Sequence, residues 1–145
     1  MEANFAPAQH YLATLYESGR GVRRDLRKAA KWYRTAAQQA DAVAENNIGF
    51  MYFTGSGVPL DYAEAFKWFL ESAKQGFAQG EANLGIAYAT GRGTRLDYVQ
   101  AYVWLNLAAA QGDSAAVQGL KKLREIMTPS QASEAERRVL MSAVR

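Results

Sequence analysis

The chain offers chemistry one histidine, no cysteine and two asparagines at matched positions. His10 stands in an Ala-Gln-His-Tyr context. A metal site needs several converging ligands, so His10 alone, without a second histidine or a cysteine, anchors none. The absence of cysteine also removes disulfides, cysteine-zinc sites and thiol nucleophiles. No serine is followed three residues later by lysine, so the nucleophile pattern of penicillin-recognising enzymes is missing. The chemistry that remains is recognition. An amide donates and accepts at once, so Asn47 and Asn83 suit a peptide main chain, with a hydrogen bond between structural units as the rival role. Phe50 and Phe53 would anchor an apolar side chain if they face solvent, and would be core if they do not. The third feature is a basic run, Arg20, Arg23, Arg24, Arg27, Lys28, Lys31 and Arg34, opposed by Asp25 alone; Arg92 and Arg95 recur further on. Such a run could meet nucleic acid or an acidic partner, but a solvated helix face is the commoner meaning.

The elements that carry these residues repeat. Gly19-Arg20-Gly21-Val22 returns 36 residues later as Gly55-Ser56-Gly57-Val58 and again as Gly91-Arg92-Gly93-Thr94. Asp25, Asp61 and Asp97 follow at one offset, and Trp32, Trp68 and Trp104 at another. A fixed period of this length denotes stacked units rather than one globular core. In the second copy, Ala44, Ile48, Met51 and Tyr52 fall at helical spacing, and Gly55 supplies the left-handed residue that closes the helix. Gly57 keeps the following turn tight and Pro59 discourages further helix. Asp61 is an N-cap, with Glu64 three residues on completing a capping-box pattern; Asp97 and Gln100 repeat it, whereas Asp25 is followed by Lys28. Ala65, Trp68, Phe69, Ser72 and Ala73 then mark the buried face of a second helix, ending at Gly76. One such hairpin cannot hide its own apolar face, so neighbours must stack, and the tryptophans are expected to fill the seams between helices. The glycine pairs follow helices rather than strands and recur three times, so they serve turn geometry rather than phosphate binding.

These residues resemble the Sel-one-like repeat (SLR) family, relatives of the tetratricopeptide repeats. The third copy carries the pattern as Leu84, Gly85, Tyr88, Gly91, Gly93, Asp97, Ala101, Trp104, Ala108, Ala109 and Gly112. The second has Ile48 for the leucine, and the first departs at Ala13 and Ala40, where glycine is usual. The resemblance implies an all-α solenoid of antiparallel hairpins, with the first helix of each repeat lining a concave face. It implies a scaffold or adaptor that binds a protein or peptide, without catalysis, cofactor or metal. Asparagine at the Asn47 and Asn83 position often holds peptide main chain in related repeats. Some cysteine-rich relatives are associated with β-lactam hydrolysis, which leaves a hydrolase as a remote alternative for this cysteine-free chain.

The period places repeats at 5–40, 41–76 and 77–112 within one domain of 1–145, closed by a helix pair at 113–145. Thr128-Pro129-Ser130-Gln131 is a helix start, and the Glu-, Arg- and Ala-rich helix after it reads as a polar terminal cap. The N-terminal side has no such cap; Phe5, Tyr11 and Leu15 lack a preceding repeat. That end is therefore expected either to continue a longer solenoid or to pair, as a weak self-association of a monomer. Helical register points His10, Thr14 and Glu17, then Asn46, Phe50 and Phe53, then Ala82, Ile86 and Ala89, then Gln118, Lys122 and Glu125 into the groove. The edge arginines Arg20, Arg23, Arg24, Arg27, Arg92 and Arg95 lie outside it, where nucleic acid or an acidic partner is the alternative occupant. The net charge of +3 and the apolar stretch Ala101–Ala110, too short to span a bilayer, predict a soluble chain. It would be cytoplasmic as written, or periplasmic if a signal peptide was removed.

Overall fold

A computed structural model of the protein describes residues 5–144; the ends of the expected 1–145 domain lie outside the described residues. Eight helices and no strand are present among them: α1 (Ala6–Ser18), α2 (Leu26–Ala37), α3 (Ala42–Thr54), α4 (Tyr62–Lys74), α5 (Ala78–Thr90), α6 (Tyr98–Ala110), α7 (Ser114–Ile126) and α8 (Pro129–Val144). From α1 to α7 each packs most closely on its chain neighbours, and α5 also touches α3 on one side and α7 on the other, forming one layer of an α-solenoid. The last pair departs from the pattern. Both α7 and α8 lean on α6 rather than on each other, closing the solenoid from two sides. The outer face of α8 is less polar than its composition predicts, because Leu140 and Met141 are exposed.

The helix ends follow from the repeated residues. Asp25, Asp61 and Asp97 cap α2, α4 and α6, each accepting from the main-chain N–H three residues on at 3.0–3.1 Å. The expected reciprocal half of the capping box is not made. The N–H of each aspartate donates instead to the carbonyl of a repeat tyrosine, Tyr16, Tyr52 or Tyr88, at 2.9 Å. Glu64 is left to pair with Lys67, which explains why Lys28 can replace it in the first copy without loss of the cap. The full box does form at α8: Thr128 N–H donates to Gln131 Oε1, and Gln131 N–H to Thr128 Oγ1.

The second glycine of the later two pairs does more than tighten a turn. A Cβ on Gly57 would overlap the Leu26 carbonyl oxygen of α2, and one on Gly93 would overlap the Tyr62 carbonyl oxygen of α4. The second and third loops thus seat a bare Cα on the first turn of the preceding repeat's second helix. A further periodic tie joins the opposite ends of the helices. Gln75 donates to the Ala40 carbonyl and to Glu45, and Gln111 to the Gly76 carbonyl and to Glu81. In the first copy Gln39 donates to Gln9, so an amide stands where the later copies bury a carboxylate. The tryptophans are partly buried, Trp32 and Trp68 against the first core cluster and Trp104 against that of Ala65, Phe69 and Leu84.

Candidate functional site

Asp41 and Asp113 fix where α3 and α7 begin, accepting from Ala44 and Ala116 N–H at 2.9 Å. Gly55 and Gly91 fix where α3 and α5 end, each left-handed with its N–H returned to the helix. Between these limits the three helices enclose two adjoining concavities. The first, ≈ 420 Å³, is lined by Asn46, Asn47, Phe50, Asn83, Ile86 and Ala115 among others. The second, ≈ 450 Å³, is almost wholly apolar and runs along Ile86, Ala89, Gly119 and Ile126, with Lys122 in its wall. Ile86 and Ala115 belong to both, so the two form one groove that is amide-rich at α3 and aliphatic at α7.

Of the expected groove residues, Asn46, Asn47, Phe50, Ala82, Asn83 and Ile86 come together, with Ala89, Gln118 and Lys122 at the far end. Phe50 is 50% exposed, a large apolar side chain in open contact with solvent. Phe53 and His10 do not join them. The Phe53 ring lies 5.2 Å from Tyr62 and 5.9 Å from Phe69, with the Arg92 guanidinium over its face, and so belongs to the seam between α3 and α4. Three residues fall about 60° short of a full helical turn, enough to carry the ring from the concave side to the α4 side of α3. His10 is held by Asp41, 3.1 Å from Nδ1, linking α1 to the cap of α3.

The amides divide their work. Asn46 is almost wholly buried; its carbonyl oxygen accepts from Asn83 at 2.8 Å and its own amide reaches Gln79 at 3.4 Å. Asn83 thus serves the hydrogen bond between repeats that was the rival role. Its own carbonyl oxygen, on the pocket wall, makes no hydrogen bond among the described residues. Asn47 faces the pocket and also the buried Tyr33 hydroxyl. Burial pushes that hydroxyl's pKa well up, with Glu17 reinforcing the shift and the Asn47 amide opposing it. Tyr33 consequently remains a neutral donor to Glu17, at 2.7 Å.

The basic residues spread over the loops between paired helices. Arg24 Nε donates to the Glu17 carbonyl at 2.9 Å, and Arg92 stacks on Phe53 and Tyr62, so both are tied into the scaffold. Arg20, Arg23, Arg27 and Arg95 are exposed. No group of three His, Cys, Asp or Glu side chains converges among the described residues. No helix there is long and apolar enough to cross a membrane. Ala115, Gly119 and Ile126 line the groove beside the expected Gln118 and Lys122 without having been expected there; they follow once α7 is placed beside α5.

Stacked helical pairs of fixed length around one concave face define an α-helical repeat protein. The Sel1 repeat family matches residues 6–41, 42–77 and 78–113, and the chain belongs to that family. Its solved relatives share the fold. A protective antigen of uropathogenic Escherichia coli that displays an SLR fold aligns with a TM-score of 0.76 at 40% identity, over 77% of this chain and 24% of its own. A Sel1 repeat protein from Oxalobacter formigenes aligns with a TM-score of 0.76 at 34% identity, over 81% of this chain and 48% of its own. The chain therefore spans about a quarter of the first relative and about half of the second. No curated protein sequence matches it significantly. Sel1 repeats are in general scaffolds for protein interaction.

Proposed function

We propose that the protein is a non-catalytic interaction module that holds a segment of a partner protein in the groove of α3, α5 and α7. The observation that carries this reading is the half-exposed Phe50 beside two joined concavities that share Ile86. Large apolar side chains cluster on an open concave surface where something is to be bound. Phe50 and Ile86 would take the partner's apolar side chains, and the free Asn83 carbonyl oxygen and the Asn47 amide would meet its main chain. The polar side chains of the groove are amides, the hydroxyls of Ser114 and Thr90, Lys122 and a carboxylate already engaged in capping α7, and Thr90 donates to the Ile86 carbonyl of its own helix. Binding rather than turnover is what such a surface performs. Replacing Phe50 and Ile86 together by serine tests it. Partner binding should fall at least tenfold while the helical melt shifts by only a few degrees; retained binding by the folded variant overturns the reading.

A further inference from the structure

The loop edge opposite the glutamine ties carries a second surface, independent of the groove. Loops 19–25, 55–61 and 91–97 lie at the same end of their helix pairs, and the seating of Gly57 on Leu26 and Gly93 on Tyr62 stacks each against the preceding repeat. Equivalent positions therefore form rows along the edge. One row reads Arg24, Leu60, Leu96; its neighbour reads Arg23, Pro59, Arg95. Leu60 is 55% exposed and Leu96 51%, although a turn of this kind accepts any polar residue there, as Arg24 shows. Arg20, Arg23, Arg27 and Arg95 share this edge, their side chains exposed and without a hydrogen bond or ion pair among the described residues. The edge aspartates Asp25, Asp61 and Asp97 are engaged as helix caps.

We propose that this edge docks on an anionic lipid surface, with the arginines on headgroup phosphates and Leu60 and Leu96 dipping into the interfacial layer. Two features favour a bilayer over other acidic partners. The exposed apolar residues of the edge are aliphatic, whereas single-stranded nucleic acid is held by aromatic stacking. The depression of ≈ 300 Å³ at this edge is lined by Arg27, Gly57, Val58 and Pro59 alone, so it offers an inserted peptide little to hold, whereas exposed loop tips can meet a flat surface together. Each basic residue near an anionic surface strengthens partition by about fivefold, and aliphatic side chains add a part that salt does not screen.

The test is co-sedimentation of the protein with vesicles of phosphatidylglycerol and phosphatidylcholine in equal parts, and of phosphatidylcholine alone. The expected result is binding to the anionic vesicles only. Leu60→Ser with Leu96→Ser should weaken it about tenfold, and Arg20→Gln with Arg23→Gln and Arg27→Gln at least as much, with the thermal melt of each variant close to that of the parent. The groove variant at Phe50 and Ile86 should bind vesicles as the parent does, which separates this surface from the groove. Absence of vesicle binding by the folded parent overturns the proposal. So does binding that is indifferent to the leucines, or an oligonucleotide bound more tightly than the vesicles, since either leaves only a generic basic patch.

Discussion

The Asn83 side chain donates to the Asn46 carbonyl oxygen at 2.8 Å, bridging α5 and α3 on the concave side of the solenoid. The bond ties the polar end of the groove to the stacking of the repeats. Asn46 is spent on structure, and Asn83 on structure with its donor and on the open pocket with its acceptor. The scaffold thus holds in a fixed orientation one of the groups that would read a partner's main chain, which lowers the cost of ordering on binding.

Phe50 and Phe53 should separate cleanly under mutation. Phe50→Ala removes a side chain that is half in water, and should change stability by less than about 1 kcal/mol. Phe53→Ala empties a place between Tyr62, Phe69 and Arg92, and should cost about 2–3 kcal/mol. Urea melts of the two single variants measure the difference.

The glycine pairs predict a graded series. Gly21, Gly57 and Gly93 all have left-handed backbones, so alanine costs about 1–2 kcal/mol at each. At Gly57 and Gly93 the added Cβ also strikes a main-chain carbonyl of the previous repeat, whereas at Gly21 it meets nothing within 4 Å. Gly57→Ala and Gly93→Ala should therefore cost roughly 1–2 kcal/mol more than Gly21→Ala, since a backbone carbonyl cannot step aside. Equal melts for all three would contradict the seating of the loops.

Ala40 occupies the closing position of the first repeat with φ of 64°, where the later repeats use Gly76 and Gly112. Ala40→Gly should stabilise the protein by about 0.5–1 kcal/mol, the relief of the left-handed strain less the greater freedom of glycine in the unfolded chain. Calorimetry should show a rise in Tm of a few degrees.

Glu45 and Glu81 are 4% and 5% exposed, and burial pushes both carboxyl pKa values up, against the opposing hydrogen bonds from Gln75 and Gln111. At Glu45 the nearby charges of Glu71 and Asp41 add to the rise. A raised folded-state value means that the native protein holds these protons more tightly than the unfolded chain does. Their contribution is fully present below the unfolded carboxylate value of about 4.3 and is lost as pH rises through the folded values. Glu45→Gln with Glu81→Gln, which copies the Gln9–Gln39 tie of the first repeat, should raise stability at pH 7 and flatten its pH dependence. Chemical denaturation of parent and variant at pH 4.5 and pH 7 measures it.

Much of the fold was legible because its determinants are local. A capping aspartate, a left-handed glycine and an apolar stripe act within a turn or two of their own position, and a 36-residue period shows them three times. What escaped depended on contacts across the seam. Gly57 looks like a turn residue until Leu26 is placed beside it, and the Gln75–Glu45 tie joins positions 30 apart that only helix pairing brings together. Phe50 and Phe53 are indistinguishable by composition; a rotation of the helix of less than one full turn puts one in the groove and the other in the seam. On α7 the register marked Gln118 and Lys122, which do line the groove, but the small and apolar Ala115, Gly119 and Ile126 between them read as packing residues until α5 is placed alongside.

The groove is tested most directly by a photo-crosslinking residue placed at position 50, compared with one at position 67 on α4, in cells of the native organism. The account predicts one dominant protein adduct from position 50, suppressed by Ile86→Ser, with none from position 67. Adducts of equal yield from both positions, or adducts from position 67 alone, would contradict it.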